Sequence, residues 1–378
     1  MTDVIVIGGG LSGCATAYYL AADGVDITVL EQYDLNTQAS GSNAGSLHAQ
    51  IPHDPFKRLG EGWAKNYVTT VGLLAKSIEM WRKLPDELGV DLEVKLRGGL
   101  LVARTAEDMK AIERKAIYER SQGLTIDILD RAALQKIAPY VSDQMIGAAL
   151  CPTEGKANPF AVTPAFAQAA ERLGARIERR TQVLSIARIS NGYEIKTTKG
   201  IFTAGRIVNA AGSEAGRIAQ MLDIDLSGIQ GLPIQVSVTE RVGPLIPHLL
   251  YCASDKLTLK QNQAGSLLIG GGWEAGIGPH GTPVANPVSL QRNMAVALAT
   301  VPALADIRVV RTWAAIVNGT DDWKPILGEI KKIPGFFLSF FPWMGFTAGP
   351  IAARIVANLV QGKPAPFDID VTPFQPNS

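Results

Sequence analysis

The sequence predicts an α/β fold, α+β overall, in which a domain with a mostly parallel sheet is joined to a domain built on an antiparallel sheet with helices. A chain of 378 residues is long enough for about two domains. It opens with a strand, a helix and a second strand, an order that builds a parallel sheet. Residues 233–274 instead form short, closely spaced runs of alternating polarity, which are typical of an antiparallel sheet.

The opening unit is the clearest element of the sequence. Residues 3–7 form a short apolar run, residues 11–22 follow as a helix with small and apolar side chains, and residues 27–30 repeat the strand pattern. A strand, helix and strand within about thirty residues form a βαβ unit with a right-handed crossover. The start of the chain is therefore predicted to be Rossmann-like, one mononucleotide-binding half of a larger sheet.

The later elements have weaker but recognisable signals. Helices are expected over residues 62–84, 106–121 and 158–173, the second one capped by Thr105 and Asp108. The Asn191-Gly192 pair predicts a hairpin, and a final helix is expected over residues 351–360 with Pro350 at its first position. Strands are expected over residues 92–104, 176–189, 193–198 and 208–212.

No repeat and no linker separates the two domains, so the chain is expected to pass between them more than once. The expected segments of the cofactor domain are residues 1–85, 145–230 and 312–378. The expected segments of the substrate domain are residues 86–144 and 231–311.

Composition excludes several classes of protein. Hydrophobic residues make up 47% of the chain and charged residues 19%, so enough apolar surface exists to form packed cores. The net charge of +1 provides no bulk positive field, and we expect no nucleic-acid partner. Cys14, Cys151 and Cys252 form no CxxC pair, so no disulfide scaffold, metal site or iron–sulfur cluster is expected within this chain.

The same features predict a cytoplasmic protein without a membrane span. The first strand begins almost at Met1, which leaves no room for a cleavable signal segment. The most apolar stretch, residues 336–346, is interrupted by Pro342 and Gly345 and is shorter than the roughly 20 residues that a spanning helix needs.

A glycine motif lies between the first strand and the first helix. Gly8, Gly10 and Gly13 have the G-x-G-x-x-G spacing, which permits a tight turn and close approach of a pyrophosphate to the helix N-terminus. Glu31 follows the second strand, where it is expected to accept hydrogen bonds from ribose hydroxyls. A glycine-rich turn beside a surface glutamate is the alternative, and the motif does not separate NAD from FAD. Cofactor contacts are expected from Gly8, Gly10, Leu11, Ser12, Gly13, Glu31 and Gln32.

A second run of small residues, 39–46, follows soon after Glu31. Small side chains let backbone lie flat against a long planar ligand, although an ordinary flexible loop has the same composition. The candidate cofactor residues in this run are Ser40, Gly41, Ser42, Asn43, Ala44, Gly45 and Ser46.

Together these residues resemble the D-amino-acid oxidase-like flavoproteins, a family that includes glycine oxidase, sarcosine oxidase and many amine dehydrogenases. The resemblance extends through residues 155–159, the Arg-Thr-Trp-Ala motif at residues 311–314, and Thr320, Asp322, Pro325 and Gly328. It implies an FAD cofactor, bound noncovalently because no cysteine stands near the end of the strand at residues 336–341. It also adds, as implied FAD contacts, Val183, Ala210, Gly212, Gly345, Phe346 and Thr347.

Within the family, residues 41–48 and the short C-terminus are most similar to the catalytic B subunits of heteromeric dehydrogenases. That subgroup includes opine oxidases, hydroxyproline dehydrogenases and hydrogen cyanide synthase. The resemblance implies a redox partner subunit that receives the electrons. Any iron–sulfur cluster would lie on that partner, and FMN at the interface between subunits is a further option that the resemblance leaves open.

One departure from the family pattern concerns substrate binding. Many members have Gly-Leu-Arg-Pro after the tryptophan of the C-terminal motif, whereas this chain has Ala-Ile-Val-Asn at residues 315–318. Val317 therefore stands where an arginine often pairs with the substrate carboxylate. Either another residue binds the carboxylate, or the substrate differs.

The resemblance implies amine oxidation, in which a hydride moves from the carbon beside nitrogen to flavin N5 and the resulting imine is hydrolysed. The protein would orient the C–H bond and stabilise reduced flavin, for which the start of the last helix near Gly349-Pro350 and the turn before it are candidates. Lone histidines and buried aromatic residues are more often structural, and this alternative stays open. The substrate-side candidates are His48, Tyr251, Trp273, Asn318 and Trp343.

The leading hypothesis is oxidative cleavage of an opine, octopine or nopaline, to L-arginine and a 2-oxo acid by the catalytic subunit of a heteromer. An opine with a guanidinium arm would suit a carboxylate such as Asp322 or Glu274 and an aromatic face, although a charge on a solvated loop is the simpler interpretation of either acid. Glycine, sarcosine, a D-amino acid or (hydroxy)proline are alternative substrates. A flavin-holding assembly subunit without its own chemistry is an alternative of another class, and an NAD-dependent dehydrogenase is disfavoured by the C-terminal motif.

Overall fold

The computed structural model describes residues 1–226 and 228–376. The helices are α1 (Leu11–Ala22), α2 (Ala39–Ser42), α3 (His53–Leu88), α4 (Ala106–Ser121), α5 (Arg131–Ile137), α6 (Pro159–Arg172), α7 (Ala215–Gln220), α8 (Pro287–Thr300) and α9 (Gly345–Val360). The strands are β1 (Thr2–Ile7), β2 (Ile27–Leu30), β3 (Ser46–Leu47), β4 (Gly99–Ala103), β5 (Asp127–Asp130), β6 (Gly147–Cys151), β7 (Gly155–Lys156), β8 (Arg176–Glu178), β9 (Val183–Ile189), β10 (Gly192–Thr197), β11 (Gly200–Asn209), β12 (Ile229–Arg241), β13 (Leu249–Cys252), β14 (Thr258–Gln261), β15 (Ser266–Gly270), β16 (Gly276–Ile277), β17 (Pro283–Val284), β18 (Val309–Thr320), β19 (Ile326–Glu329) and β20 (Phe336–Phe340).

The first sheet has the order β19-β20-β11-β1-β2-β8, with β10 and β9 added beside β11. Its central pairs are parallel, and β19 is an antiparallel edge strand. Successive side chains of β1 enter different cores, since Val4 and Val6 pack on the side of α1, α6 and α9, whereas Ile5 and Ile7 pack on the side of β9 and β10. Both faces are covered, so an uninterrupted apolar run is stable in this strand.

The second sheet has the order β18-β12-β15-β14-β13-β4-β6-β5. All of its pairs are antiparallel except β13 with β4. Its outer part is the long ribbon of β12 and β18, in which residues 229–239 pair with residues 309–320. The predicted combination of a mostly parallel sheet and an antiparallel sheet is confirmed.

Sheet pairing differs from the expected segment boundaries in two places. Strand β6 pairs with β4 and β5, although residues 145–230 were expected in the cofactor domain. Strand β18 crosses the expected boundary at residue 312 and stays in the second sheet throughout. In both cases the sheet to which the strand belongs is determined by its backbone hydrogen bonds to a neighbouring strand. The sequence pattern does not show which strand that neighbour is.

Several helices agree closely with expectation. Helix α4 spans the predicted residues, and its cap is formed as expected, because Thr105 Oγ1 accepts from the Asp108 amide at 3.1 Å and donates to the Asp108 carboxylate at 2.9 Å. Asn158 caps α6 through the Phe160 amide at 2.9 Å. Helix α3 is longer than predicted and is kinked at Gly60, where φ is 77°.

Three expectations about element bounds are wrong. The strand expected over residues 92–104 covers only β4, and the strand expected over residues 176–189 is divided into β8 and β9, which pair with different neighbours. The last helix begins at Gly345, so Pro350 lies inside α9 and not at its first position. Pro350 is the sixth residue of α9 and has no amide hydrogen. One backbone hydrogen bond near the start of the helix is therefore missing, while the helix continues to Val360.

Among the described residues, no helix combines the length and apolarity that crossing a membrane requires.

Candidate active site

The turn between β1 and α1 depends on its glycines. A Cβ at Gly8, whose φ is 111°, would lie 2.5 Å from the Ala210 carbonyl oxygen, and a Cβ at Gly13 would lie 1.9 Å from the Gly8 carbonyl oxygen. Gly10 forms the N-cap of α1 without any side-chain cap, and Ser12 Oγ bonds Ser339 Oγ at 2.7 Å. Only glycine permits the close backbone approaches in this turn, and the turn leads directly into the amides at the start of α1.

Glu31 lies at the end of β2, beside this turn. One carboxylate oxygen accepts the Gly9 amide at 2.6 Å and the other accepts the Tyr33 amide at 2.7 Å. Each carboxylate oxygen has two lone-pair directions, so the acceptor capacity that ribose hydroxyls require is retained. Gln32 follows it and is half-buried.

The small-residue run forms an ordered structure that includes α2. Ser40 Oγ accepts the Leu11 amide at 2.9 Å, and Asn43 Oδ1 accepts the Gly45 amide at 2.8 Å. A Cβ at Gly41 or Gly45 would lie 1.9 or 2.2 Å from a carbonyl oxygen of another segment. These contacts favour the cofactor interpretation of the run over that of a flexible loop.

Three further residues expected to contact the cofactor lie near the same edge of the first sheet. Ala210 follows β11, and its amide donates to the Ile7 carbonyl at 2.9 Å, next to Gly8. Gly212, with φ of 60°, lies two residues further along. Val183 is buried at the start of β9, and the nearby Thr181 amide donates to the Glu31 carbonyl at 2.7 Å. The carboxyl ends of parallel strands meet here, which is where ligands bind in sheets of this kind.

The first turn of α9, near the C-terminal end of the chain, borders the small-residue run. A Cβ at Gly345 would meet no protein atom within 4 Å, so its backbone is open to a ligand. Phe346 packs on Trp81 with ring centroids 4.9 Å apart. Thr347 is fully buried and joins this turn to the small-residue run through Ser46 and His48.

A cavity of about 1190 Å³ lies between the small-residue run, the start of α3 and the face of the second sheet. Alternate residues of the ribbon line it, as the two-residue period of a strand requires. These are Gln230, Leu232, Ile234 and Val236 of β12 and Trp313, Ala315, Val317 and Gly319 of β18.

Tyr251 and His48 line this cavity together, with nearly parallel rings whose centroids are 6.2 Å apart. Tyr251 Oη donates to Glu154 Oε2 at 3.2 Å. Burial, reinforced by the Lys260 ammonium, lowers the pKa of His48 to about 4, so its ring is neutral near pH 7. Burial and then Lys156 lower the pKa of Lys260 to about 7, and Lys260 Nζ donates to Ser46 Oγ at 2.7 Å.

Behind Tyr251 lies a fully buried polar network. Lys115 and Glu119 form an ion pair with no solvent exposure, and Lys115 Nζ also donates to Gln50 Oε1 at 3.3 Å. Gln50 in turn donates to Glu154 at 2.9 Å. Each charge has a partner, as burial away from water demands.

Two tryptophans form an aromatic wall of the cavity. Trp323 and Trp343 stack with centroids 4.5 Å apart and an interplanar angle of 13°, and both line the cavity. Their φ values are 67° and 56°, in the left-handed region that bulky residues rarely adopt. Such backbone strain persists where surrounding structure enforces it and is concentrated at functional sites.

The structure does not bring two of the expected substrate-side residues to the cavity. Trp273 is 7% exposed, and its indole N–H donates to the Lys256 carbonyl at 2.8 Å, so its side chain lies in packed structure. Asn318 lies on the opposite face of β18 from Val317, near Gly212, because successive side chains of a strand alternate. Its carbonyl nevertheless accepts the Trp343 amide at 2.9 Å.

Several residues of the cavity lining and of the polar network behind it have no clear signal in the sequence. Glu154, Gln50, Lys115 and Glu119 were not named, and the cavity residues Trp313 and Trp323 had no assigned role. A lysine and a glutamate four residues apart in α4 were the one local signal, since the pair occupies one helix face.

The residues present fit a bound dinucleotide. The close approaches at Gly8 and Gly13 would be blocked by any Cβ. The start of α1, where Ser40 takes only the Leu11 amide, offers the amides after it to a pyrophosphate, and Glu31 offers carboxylate acceptors. Gly345 has open space where a Cβ would lie, and its neighbours Met344 and Phe346 line the cavity.

A doubly covered parallel sheet with this glycine turn, joined to an antiparallel sheet that walls a large cavity, defines a dinucleotide-dependent enzyme of two-domain architecture. The model of the FAD dependent oxidoreductase family matches residues 3–359, and the chain belongs to that family. The protein is an FAD-dependent oxidoreductase, and the expected family and cofactor are confirmed.

Sequence relatives extend over nearly the whole chain. The beta subunit of sarcosine oxidase from Arthrobacter sp is 29% identical over 97% of this chain and 90% of its own length. The B subunit of opine oxidase from Rhizobium meliloti is 28% identical over 96% of this chain and 94% of its own length. Among solved structures, L-proline dehydrogenase from P. horikoshii superposes with a TM-score of 0.88 at 26% identity, covering 99% of this chain and 96% of the other.

Proposed function

We propose that the protein oxidises a secondary amine, an opine such as octopine or nopaline, to L-arginine and a 2-oxo acid, as the catalytic subunit of a heteromeric dehydrogenase. Membership of the family makes it an FAD-dependent oxidoreductase of amines or amino acids. The finer substrate proposal is carried by Val317, which lines the cavity at the position where the family pattern has a carboxylate-pairing arginine; part of the cavity's volume of about 1190 Å³ is proposed for the flavin ring. The similarity to the B subunits of two opine oxidases supports it.

FAD, when bound, supplies the hydride acceptor for the carbon beside nitrogen. The chain's residues would hold it through the β1–α1 turn, Glu31, the small-residue run and the first turn of α9. Phe346 and the small-residue run border the cavity, so a substrate there would lie against the cofactor-binding segments. The neutral imidazole of His48 would add no charge beside the amine, while Tyr251 would contact the amine directly.

Recognition of carboxylates is proposed to come from cations other than an arginine at position 317. Lys57 and Lys115 line the cavity but are paired with Asp108 and Glu119. Arg58 and Lys256 also line it, and in the part of the chain that the structure describes neither forms an ion pair. An opine carries two carboxylates, which these two cations would meet.

A partner subunit is part of the proposal. The sarcosine and opine relatives are named as subunits, which supports an arrangement in which electrons leave this chain for a second protein. FMN or an iron–sulfur cluster would then belong to the interface with that protein or to the partner itself.

Anaerobic titration of the purified flavoprotein tests the substrate. The panel would contain octopine, nopaline, sarcosine, glycine, proline and hydroxyproline, with bleaching of the flavin absorption as the measurement. Octopine or nopaline is expected to bleach it at the lowest concentration. Bleaching by every other member but by neither opine would contradict the opine assignment, and bleaching by none, with the partner present, would leave an assembly role.

A second candidate function keeps the chemistry and changes the substrate to sarcosine or proline. The 29% identity to the beta subunit of sarcosine oxidase and the superposition on L-proline dehydrogenase favour it. The same titration separates the two candidates, because it compares both classes of substrate on one protein.

A further inference from the structure

A buried glutamate stands directly behind the cavity wall. Tyr251 lines the cavity, and its hydroxyl donates to Glu154 Oε2 at 3.2 Å. Glu154 is itself fully buried and does not line the cavity. Glu154 therefore acts on a bound substrate through the residues that touch both it and the cavity, which are Tyr251 and Gln50, and of these two only Tyr251 has a hydroxyl proton to pass on.

The other contacts of Glu154 are donors as well. Its Oε1 accepts the Ala49 amide at 2.6 Å and the Gln50 amide at 2.7 Å, and its Oε2 accepts Gln50 Nε2 at 2.9 Å. Gly99 makes room for it, because a Cβ there would lie 1.7 Å from Oε2. This is a site built for a carboxylate.

The donor pattern fixes the polarity of Tyr251. A phenol has one proton, and Tyr251 directs it to Glu154. The hydroxyl oxygen then offers the cavity only lone pairs, so it can accept an N–H from a substrate amine but cannot donate to a substrate carboxylate. That polarity is consistent with Val317 in the cavity, where a carboxylate-pairing arginine is absent.

We propose that Tyr251 and Glu154 form a two-step proton relay that takes the proton from a substrate ammonium. The N–H proton moves to Tyr251 Oη while the Tyr251 proton moves to Glu154 Oε2, so one N–H bond breaks, one carboxyl O–H bond forms and no electrons are transferred. The amine keeps the lone pair that hydride loss from the neighbouring carbon requires. Hydride loss leaves an iminium ion, whose hydrolysis gives the product ammonium directly, so the proton stored on Glu154 leaves through Tyr251 to the solvent when the product departs.

This inference rests on the proposed function, since it needs an amine substrate. Tyr251 is the catalytic residue because it would touch the substrate, and Glu154 is a positioning residue and proton store that acts through it.

Electrostatics at the site support the relay. Burial raises the pKa of Glu154, against the hydrogen bonds from Gln50 and Ala49 and the charge of Lys115. A raised pKa makes the carboxylate a better proton acceptor for an amine than an exposed glutamate would be.

The groups that face the relay come from several elements. Helix α4 contributes Lys115 and Glu119, which pair with one another, and β6 contributes Cys151, whose pKa burial raises to about 12. Burial and Glu154 raise the pKa of Tyr251 well above its ordinary value, and His48 stacked on it is neutral. Glu154, whose pKa burial raises above that of an ordinary glutamate, is therefore the group of the relay whose protonation state controls the proton transfer.

The pH profile of anaerobic flavin reduction by octopine tests the relay in the holoprotein. In the parent protein the rate should fall about tenfold per pH unit below the pKa of Glu154, because a carboxyl group that is already protonated cannot take the proton from Tyr251. Glu154→Gln should lower the neutral-pH rate by about 100-fold and remove the limb that ends at the pKa of Glu154, so that the rate rises with pH up to the pKa of the substrate amine with no plateau before it. Glu79→Gln removes an exposed carboxylate that does not line the cavity and should keep the parent profile.

Tyr251→Phe gives an independent arm with Glu154 intact, should Glu154→Gln not fold. It should show the same loss of the acid limb. A parent-like profile in either folded variant would overturn the relay. Bleaching of the parent protein by no amine of the panel would instead overturn the proposed function.

Infrared difference spectroscopy supplies a measurement without turnover. Octopine added to protein whose flavin has first been reduced chemically should produce the carbonyl stretch of a protonated carboxyl group. The band should be missing in Glu154→Gln and in Tyr251→Phe. Its persistence in Glu154→Gln would assign the proton to another group and contradict the proposal.

Discussion

Thr347 and Ser46 lie 301 residues apart in the chain and are joined by a hydrogen bond of 3.1 Å from the Thr347 hydroxyl to the Ser46 carbonyl. The same hydroxyl accepts the His48 amide at 3.1 Å. Ser77 and Trp81 of α3 donate to the Thr347 carbonyl at 2.6 and 2.9 Å. One residue thus ties the first turn of α9 to the small-residue run and to α3, and it holds both sides of the proposed flavin site in register.

Thr347→Val should destabilise the protein and weaken FAD binding. Valine matches the shape of threonine but leaves the buried His48 amide without its acceptor, which costs about 1–3 kcal/mol. Urea unfolding and FAD retention on dialysis measure the two effects. Thr347→Ser keeps the hydroxyl, so it should lose less stability and less bound FAD than Thr347→Val. Equal losses in the two variants would contradict a role for the hydroxyl.

Gly13→Ala should fail to hold FAD and should unfold more readily. The added Cβ would lie 1.9 Å from the Gly8 carbonyl oxygen, so α1 must move away from the turn that it supports. Gly216→Ala is the control, because a Cβ at this position in α7 meets nothing within 4 Å and helix propensity favours alanine by about 1 kcal/mol. Thermal unfolding and the ratio of flavin to protein absorption measure the outcome. Normal flavin content in Gly13→Ala would refute the proposed turn contact.

Gly345→Val should separate folding from cofactor binding. Open space surrounds a Cβ at Gly345, so the variant should unfold at the parent's urea midpoint when flavin has been removed. A branched side chain at the start of α9 would then occupy space proposed for the flavin, and FAD affinity should fall at least tenfold. The FAD affinity of Gly345→Ala should lie between that of the parent and that of Gly345→Val. Fluorescence titration of FAD into apoprotein is the measurement, and unchanged affinity in the valine variant would remove α9 from the cofactor site.

Val317→Arg should shift preference toward small amino acids. Val317 faces the cavity, where a guanidinium would offer paired N–H donors to a single carboxylate and would also fill volume that a large substrate needs. KM for sarcosine should fall about tenfold, which corresponds to roughly 1.4 kcal/mol of free energy, and KM for octopine should rise. Val317→Met adds length without charge and should give only the second effect. Identical behaviour of the two variants would show that charge at this position is irrelevant.

The sequence was sufficient where the determinants are local. The β1–α1–β2 unit follows from apolar runs and glycine spacing within about thirty residues, and the cap of α4 follows from two residues three apart. The start of α9 was missed because Gly345, Gly349 and Pro350 are weak helix formers in isolation, whereas burial against α1 and α3 stabilises them as helix.

The site was predictable only in part, because its chemistry depends on long-range contacts. Glu154 and Tyr251 are 97 residues apart and meet only through the pairing of β13 with β4 and of β4 with β6, which no sequence pattern shows. By contrast, the position of the Asn318 side chain outside the cavity lining could have been predicted from the sequence. Once Val317 was assigned to the site, the two-residue period of a strand put its neighbour on the other face.

Lys260 should make stability depend on pH above neutrality. Burial, with Lys156 nearby, lowers its pKa to about 7 in the folded protein against 10.5 for an ordinary lysine. Between pH 7 and pH 8.5 the unfolded chain therefore binds more protons at this position than the folded chain, so the free energy of unfolding rises with pH. Below pH 7 both states are protonated and this contribution to the slope disappears. One group contributes at most about 1.4 kcal/mol per pH unit.

Lys260→Met removes that slope and isolates its origin. Urea unfolding of apoprotein at pH 7.0 and pH 8.5, in parent and variant, measures it, and Lys76→Met controls for the loss of one exposed positive charge. The variant should gain stability relative to the parent at the lower pH, because an ammonium is then no longer held in a buried site. The gain should shrink at the higher pH, where the parent lysine is already neutral. A difference between parent and variant that is the same at both pH values would mean that Lys260 keeps its proton throughout, and the buried contact with Ser46 would then be that of a full ammonium.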